Sequence, residues 1–445
     1  MCPPALETAS AVAGNYMKFS PLVARIGGDG ADAWRTHHEA RLARERGEDV
    51  LLLSVGDPDL ETPAPVLERA IACLRAGDTH YTPAPGRPAL REAIAALHRS
   101  RTGHAAAAGN ALFFAGAQNA LFAASLCLAG PGDEVIALEP LYPTYPATIE
   151  VSGARLVRAP APAALGFRPD LAALAKLITP RTRAIFLATP NNPSGVILTA
   201  ADMAAIGDLA ERHSLWVVAD EVYAGLAPGH RVPGLAARMP DQVVTIGSLS
   251  KSHAMTGWRA GWMVAPEPLI AHAEALIMCM LFGLPGFIQE AALTARGAST
   301  AAESRIGEYC ALRRDFVRAQ LAGIAGVGCV VPDAGMFMLL DVRATGLSGY
   351  DFMRRLYVEE RVSLLDGGAF GAGTSGFVRL CFATDEATLR EAALRIRRFA
   401  ASLPWSGSPL RARATLPPRT TPLRPRGQQE LRKRAASAPL AAASR

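Results

Sequence analysis

One lysine in this chain lies among residue types that could bind an aldehyde and a phosphate together. Only four lysines occur among the 445 residues, and Lys251 is the one that closely follows Ser248 and Ser250 and precedes Arg259. A lysine amine can lose its proton and attack a carbonyl to form a Schiff base, whereas an arginine stays charged. A lone Ser-x-Ser-Lys segment would favour a solvated lysine on a surface turn. The added arginine, which can bind a phosphate in a forked geometry, instead predicts a site for pyridoxal 5′-phosphate.

An acidic residue at the end of a predicted buried strand would suit the ring of this cofactor. Asp220 directly follows the apolar run Leu215–Ala219. A carboxylate beside a pyridine nitrogen favours the protonated nitrogen, and a protonated ring withdraws electrons from a substrate carbanion. The alternative is that Asp220 caps a helix after the strand, which is a common role for aspartate. Its position upstream of Lys251 favours the role at the ring.

Short apolar runs that end in turn residues predict the strands that position these groups. The runs are Leu112–Ala115, Glu134–Leu138, Ala184–Ala188, Leu215–Ala219, Val243–Gly247 and Gly261–Ala265. Helical periodicity occurs between or after them, for example over Pro88–Leu97 and Leu389–Leu403. Alternation of strands and helices predicts an α/β fold with a mainly parallel sheet. In such sheets, ligands bind beyond the carboxyl ends of the strands, where most of the chemically suggestive residues fall.

The composition excludes several other classes of protein. The last 43 residues carry nine basic residues and one acid, so the pI of about 9.1 reflects this tail and gives no reason to expect nucleic-acid binding by the rest. The seven cysteines form no Cys-x-x-Cys or Cys/His cluster, which indicates neither zinc nor a disulfide framework and favours a reducing, cytoplasmic compartment. No signal peptide and no membrane span is predicted.

The segment Ser248–Gly261 resembles the lysine-site signature of class I/II aminotransferases, which are pyridoxal-phosphate enzymes of fold type I. The resemblance extends from about residue 19 to about residue 402, and it implies a large domain with a mainly parallel sheet flanked by helices, plus a smaller α+β domain. The expected segments are a disordered N-terminal extension (1–18), an N-terminal arm with part of the small domain (19–63), a large cofactor-binding domain (64–305), a small C-terminal domain (306–402) and a disordered basic tail (403–445).

The resemblance also implies contacts with the cofactor ring. Lys251 matches the lysine that binds the aldehyde and moves the substrate proton, and Asp220 matches the residue that holds the ring nitrogen. Asn192 and Tyr223 match residues that contact the phenolic oxygen, and Tyr142 matches the aromatic residue that stacks on the ring. Taken alone, the asparagine motif is a generic turn, and a core tyrosine is about as common as a stacking one.

Other matched positions concern the phosphate. Ser248, Ser250 and Arg259 would bind it directly. The loop Gly116–Gln118, at the start of a predicted helix, would bind it through the backbone amides of Ala117 and Gln118, aided by the glutamine side chain; a plain strand–helix turn is the alternative. Tyr81 resembles the tyrosine that reaches the phosphate of a neighbouring subunit, which implies a homodimer with active sites at the interface.

Three residues match family positions that bind the substrate. Arg379 matches the arginine that binds the α-carboxylate, although a structural ion pair is an alternative for an isolated strand arginine. Gly56 matches a backbone that closes over the substrate, and Asn192 lies near it. His253 is interpreted as a packing or solvent-facing residue, since Lys251 already supplies the base.

The stretches 25–34, 52–59, 250–262 and 276–289, followed by 335–337 and 345–348, resemble the arginine–pyruvate transaminases within this family. This resemblance implies arginine or a similar basic amino acid as donor and pyruvate as acceptor. Asp29 and Asp32 are candidate partners for a guanidinium, although surface solvation is the commoner role. The segment Leu281–Pro285 offers no arginine for a second carboxylate. Aspartate, aromatic or alanine specificity, a pyridoxal-phosphate lyase, and the non-catalytic sensor domain of a regulator remain the alternatives.

Overall fold

The computed structural model describes residues 19–26, 34–297 and 299–404. The helices of this part are α1 (Pro21–Ile26), α2 (Arg35–Glu45), α3 (Ala64–Arg75), α4 (Pro88–Thr102), α5 (Ala117–Leu128), α6 (Tyr145–Glu150), α7 (Leu171–Leu177), α8 (Ala200–His213), α9 (Glu267–Met280), α10 (Gly286–Gly297), α11 (Ser299–Leu321), α12 (Gly349–Glu360) and α13 (Glu386–Ser402). The strands are β1 (Leu51–Leu52), β2 (Ala111–Ala115), β3 (Glu134–Glu139), β4 (Arg155–Pro160), β5 (Thr182–Ala188), β6 (Trp216–Asp220), β7 (Val243–Ser248), β8 (Ala260–Val264), β9 (Gly328–Val330), β10 (Phe337–Asp341), β11 (Val362–Ser363), β12 (Leu365–Asp366) and β13 (Phe377–Cys381).

A seven-stranded sheet forms the centre of the fold, in the order β2-β8-β7-β6-β5-β3-β4. Strand β8 runs antiparallel to both of its neighbours, and the other pairings are parallel. All six strands expected from the apolar runs are present, within two residues of the expected bounds. Strand β4 was not expected, because its residues alternate between buried and exposed instead of forming a continuous apolar run.

The sheet is buried on both faces, as expected for an α/β fold. One apolar cluster includes Leu112, Val135 and Val244 together with residues of α5 and α9. A second cluster, on the other face, includes Ile136, Val217 and residues of α8. The layering therefore confirms the expected mainly parallel sheet flanked by helices.

A smaller antiparallel sheet follows in the chain, in the order β12-β13-β10-β9. Helices α11, α12 and α13 supply buried side chains to the core of this region. Strand β1, from the N-terminal part, pairs in parallel with β11, so residues near position 50 join the C-terminal region. Helix α13 begins three residues before the expected start because the Asp385 side chain accepts the N–H of Thr388 and caps it.

The described chain as far as Pro404 belongs to one compact unit. The expected boundary between residues 305 and 306 falls inside α11, so a single helix would connect the two expected domains. The expected disordered ends lie outside the described residues, except for 403 and 404. Within the described part, no helix is both long and apolar enough to cross a bilayer, and no cluster of candidate metal ligands occurs.

Candidate active site

One pocket brings together most of the residues singled out in the sequence. It lies beyond the carboxyl ends of β6 and β7, where Asp220 and Ser248 end their strands. The pocket is lined by Trp34, Val55, Gly56, Ala117, Gln118, Leu121, Tyr142, Tyr145, Ala188, Asn192, Asp220, Val222, Tyr223, Ser248, Ser250, Lys251, Thr256, Arg259, Phe337 and Arg379.

The amine of Lys251 points into this pocket from the turn after β7. Its Nζ atom donates to the carbonyl oxygen of Gly56 at 2.5 Å. Burial disfavours the ammonium and lowers the pKa of Lys251 to about 8, although the nearby Asp57 carboxylate acts in the opposite direction. A lysine with this pKa has a substantial neutral fraction near neutral pH, which is the form that reacts with an aldehyde.

Asp220 lies at the end of β6, and both of its carboxylate oxygens accept hydrogen bonds. Its Oδ2 atom accepts the hydroxyl of Tyr145 at 2.7 Å, and its Oδ1 atom accepts the N–H of Val222 at 3.2 Å. Burial raises the pKa of Asp220, while these two hydrogen bonds act against the rise. The carboxylate is therefore held in one orientation at the floor of the pocket.

Hydroxyl and guanidinium groups gather at another part of the pocket, after β7. The Ser248 hydroxyl accepts the N–H of Ser250 at 2.9 Å and lies 2.8 Å from the Ser250 hydroxyl. The Arg259 guanidinium donates to the Thr256 carbonyl at 2.8 Å. Gly116 allows this guanidinium to approach the strand–helix loop, because a Cβ atom at that position would lie 2.4 Å from Arg259 Nη2. These contacts leave a group of donors that suits an anion.

The side chain of Gln118 is used differently from the expectation that it helps to bind phosphate. Its Nε2 atom donates to the hydroxyl of Thr148 at 2.7 Å, and its Oε1 atom accepts the hydroxyl of Thr144 at 2.7 Å. The glutamine thus ties the start of α5 to α6. The backbone amides of Ala117 and Gln118, which are the main expected phosphate contacts, lie in the first turn of α5.

Arg379, on β13, is fully buried and extends into the same pocket. Its guanidinium donates to the carbonyl of Ser54 at 2.5 Å and to Asn192 Oδ1 at 3.0 Å, and it stacks over the ring of Phe337 at 4.0 Å. Its Nε atom has no partner. Burial lowers the pKa of this arginine. A buried cation without a carboxylate partner favours binding of an anion.

Three more of the expected ring contacts lie close together. Asn192 Nδ2 donates to the Tyr223 hydroxyl at 3.4 Å, so the two expected contacts of the phenolic oxygen are neighbours. Tyr142 packs edge-on against Tyr145, with ring centroids 6.3 Å apart. Both tyrosines lie beside Asp220 in the pocket, which is consistent with an aromatic wall over a planar ring.

Four residues that the sequence analysis discussed do not line the pocket or lie outside the described residues. Tyr81 is 86% exposed and packs against Phe282 beside a separate surface cavity. His253 is fully buried with its Nδ1 atom 2.8 Å from the Ser252 hydroxyl, so it is a packing residue and is not solvent-facing. Asp29 and Asp32 lie outside the described residues.

Comparison with known proteins agrees with this geometry. Residues 48–396 match the family model described as aminotransferase class I and II. The arginine–pyruvate transaminase AruH of Pseudomonas aeruginosa is 47% identical over 389 residues, which cover 87% of this chain and 99% of the relative. A probable aspartate/prephenate aminotransferase of Thermus aquaticus is 34% identical, over 81% of this chain and 93% of the relative.

Solved structures give the same result. An aspartate aminotransferase of Thermus thermophilus with maleate superimposes with a TM-score of 0.82 and 30% identity, over 86% of this chain and 100% of that chain. This chain belongs to the class I and II aminotransferases. It has the fold type I architecture, and it is a transaminase that depends on pyridoxal 5′-phosphate.

The pocket of this aminotransferase fits the cofactor chemically. It combines a buried amine for an aldehyde, a buried carboxylate for a ring nitrogen, and a set of hydroxyl and guanidinium donors for a phosphate. Strand β8 packs closely against the start of α5, where the phosphate donors lie. Gly261 permits this packing, because a Cβ atom at that position would lie 2.5 Å from the N atom of Ala117. Larger residues at this position would push the loop away.

The sequence interpretation of this aminotransferase missed three aromatic residues of the pocket: Trp34, Tyr145 and Phe337. Tyr145 is the first residue of α6, whereas Tyr142 precedes that helix, so no helical periodicity linked the two tyrosines. Phe337 follows the Gly335-Met336 pair and lies under Arg379. Neither Trp34 nor Phe337 carries a local signal for its role, because each depends on packing between distant parts of the chain.

Proposed function

We propose that this aminotransferase moves the amino group of arginine, or of a similar basic amino acid, to pyruvate. The observation that carries the proposal is the 47% identity to an arginine–pyruvate transaminase over nearly the full length of that relative. The products would be the 2-oxo acid with a guanidino side chain and alanine. The two half-reactions would alternate at one site, as in a ping-pong mechanism.

The charges of the pocket support this choice over a dicarboxylate substrate. The cationic residues among its described lining are Lys251, Arg259 and Arg379. Lys251 and Arg259 would be used by the cofactor, and Arg379 by the α-carboxylate. No further cation of this lining remains for a second carboxylate, so an aspartate side chain would lie without a charged partner from these residues.

The residues that would hold the cofactor divide into three groups. Asp220, Asn192, Tyr223 and Tyr142 would contact the ring; Ser248, Ser250, Arg259 and the backbone of Ala117 and Gln118 would bind the phosphate; and Lys251 would bind the aldehyde. When bound, the cofactor supplies an aldehyde that accepts an amino group and a protonated ring that withdraws electrons from the substrate α-carbon.

The chain's own residues then perform the proton transfer. Arg379 binds the α-carboxylate in a forked geometry, since its guanidinium is buried and fixed by Asn192 and Ser54. The Gly56 backbone lies beside the amine of Lys251 and would close over the substrate. The neutral Nζ atom of Lys251 takes the α-proton as general base and returns a proton as general acid.

The assembly that we propose is a homodimer with the active sites at the interface. Tyr81 and Phe282 form an exposed aromatic pair outside the pocket, with 86% and 49% of their surfaces accessible. A partner subunit would cover this pair, and Tyr81 would then lie near the phosphate site of that partner subunit. We further propose a cytoplasmic location, and a division of the chain into a large domain (64–305) and a small domain (306–402 with part of 19–63).

A donor and acceptor screen on the purified holoenzyme tests the proposed substrates. Arginine with pyruvate is expected to give the highest kcat/KM, and lysine and ornithine are expected to follow. Activity confined to aspartate or aromatic donors would reject the arginine assignment. Release of ammonia or carbon dioxide without alanine formation would indicate a lyase, and the absence of turnover with every donor would favour a sensor domain.

A further inference from the structure

Five aromatic side chains line the pocket, and four of them already have a partner or a proposed role. They are Trp34, Tyr142, Tyr145, Tyr223 and Phe337. The Tyr145 hydroxyl holds Asp220, and the Phe337 ring lies under the Arg379 guanidinium. Tyr142 and Tyr223 are assigned to the cofactor in the proposed function. Trp34 is the one aromatic residue of this set with no role in the proposed function, although it also lines the pocket.

Trp34 is held in place by a series of contacts that runs through His37 and Ser54 to Ser363 on β11. Its indole packs edge-on against the ring of His37, with centroids 5.7 Å apart and an interplanar angle of 82°. His37 Nδ1 lies 2.8 Å from the Ser54 hydroxyl, which lies 2.9 Å from the Ser363 hydroxyl. Both serines are fully buried, so the imidazole that supports the indole has one fixed orientation.

The support of Trp34 is also the support of Arg379. The carbonyl oxygen of Ser54 accepts a hydrogen bond from the Arg379 guanidinium, while the hydroxyl of the same serine binds His37. A residue that holds the proposed carboxylate-binding arginine therefore also fixes the histidine behind the indole. Ser54 thus helps to fix the distance between Arg379, which would bind the α-carboxylate of a substrate, and Trp34.

The pocket offers few carboxylates to a cationic side chain of a substrate, so an aromatic face is its main available partner. Asp220 is the one acid among the described lining residues, and it is bonded to Tyr145 and Val222. Asp57 lies at the rim, where its carboxylate accepts the Thr256 hydroxyl at 2.7 Å. A planar guanidinium binds well over the face of tryptophan, which is the strongest of the aromatic partners for a cation.

We propose that Trp34 determines specificity by stacking on the cationic end of the substrate side chain, in particular a guanidinium. This inference rests on the proposed function and names the residue that reads the side chain. Arg379 would fix one end of the substrate and Trp34 the other. Both would be aligned by Ser54.

The test compares charged and neutral ligands of the same shape. Citrulline has the shape of arginine with a neutral ureido group, and 5-guanidinopentanoate and 5-ureidopentanoate are the corresponding acids without the reactive α-amino group. Dissociation constants of the two acids for the holoenzyme are measured by calorimetry, and kcat/KM is measured for arginine and citrulline with pyruvate. In Trp34→Leu, the preference for the guanidino ligand is expected to fall by about 3- to 30-fold in both measurements. Trp34→Phe is expected to retain part of it.

Two further variants make the result specific. Trp216→Leu removes a tryptophan at the opposite end of β6 from Asp220 and is expected to leave the guanidino-over-ureido preference unchanged. Asp57→Asn tests the carboxylate at the rim, and the preference is expected to persist in it. Loss of the preference in Asp57→Asn together with its retention in Trp34→Leu would overturn the role of Trp34.

The outcome also separates this inference from the proposed function. If the wild-type holoenzyme transaminates arginine but Trp34→Leu keeps the wild-type guanidino preference, then only the role of Trp34 is rejected. An equal loss for guanidino and ureido ligands also rejects it, because a merely structural defect would not distinguish charge. If the wild type accepts no cationic donor, both the arginine proposal and the role of Trp34 are rejected.

Discussion

The two halves of the pocket are built in different ways. The cofactor half draws on residues close in sequence or on adjacent strands of the large sheet, such as Asp220 on β6 and Ser248 on β7. The substrate half joins Trp34, Ser54 and Arg379, which come from opposite ends of the chain. The chemistry of the reaction is thus encoded locally, whereas the recognition of the substrate depends on long-range packing. Changes in the two halves should accordingly give different kinetic signatures.

The largest effect is expected in the cofactor half, from Lys251→Ala. Without this amine no group of the described lining is placed to move the α-proton, so single-turnover rates should fall by at least roughly 10³-fold. Lys176→Ala provides the matched control, because Lys176 is exposed and lies on α7 outside the pocket. A Lys251→Ala protein with wild-type turnover would contradict the assignment.

Arg379→Lys tests the substrate half and should lower kcat/KM by roughly 10²-fold, since an ammonium cannot replace a bidentate guanidinium. The loss should be the same for arginine and alanine as donors, because both carry the α-carboxylate. In Trp34→Leu, by contrast, the loss of kcat/KM should be larger for a substrate with a charged side chain than for one with a neutral side chain. A loss for arginine alone would show that Arg379 reads the side chain instead.

Tyr145→Phe should affect the cofactor half through Asp220. Burial raises the pKa of this carboxyl, and the Tyr145 hydroxyl opposes the rise. Removing the hydroxyl therefore raises the pKa of Asp220 further. As the pH falls, the Asp220 carboxylate is then protonated at a higher pH than in the wild type. We expect the acid limb of kcat/KM to move toward higher pH. The dissociation constant of the cofactor, measured by absorbance titration at low pH, should increase in parallel.

The smallest effect is expected where the two halves meet, from Asp57→Asn. The Asp57 carboxylate raises the pKa of Lys251 against the effect of burial. Its removal should lower that pKa below about 8 in the cofactor-free protein, so that the neutral amine persists to lower pH. The pH midpoint for acylation of Lys251 in the apoenzyme should then shift toward acid by less than roughly one unit. Asp59→Asn is the control, because Asp59 binds Tyr309 instead. A shift toward alkaline pH would contradict the proposed coupling.

The same contrast explains how much of the molecule the sequence could predict. Six of the seven strands of the large sheet and the polar residues at their ends were predictable, because continuous apolar runs and turn residues signal them locally. The roles of Lys251 and Asp220 followed from the same segments, aided by the family resemblance, and they stay predictions until tested. The contacts of Ser54 with Ser363 and with Arg379 were not predictable, since they join residues more than 300 positions apart and accompany the pairing of β1 with β11.

The scarcity of lysine has a practical consequence for chemical labelling. Reagents that acylate or reductively alkylate amines meet only four ε-amino groups in the whole chain. Because the pKa of Lys251 is lowered to about 8, a large share of its amine is unprotonated in mildly alkaline buffer, when ordinary lysines are still charged. Peptide mass spectrometry after brief labelling would therefore report the occupancy of the site as protection of the Lys251 peptide, which is resolved from the peptide that carries the equally reactive α-amino group.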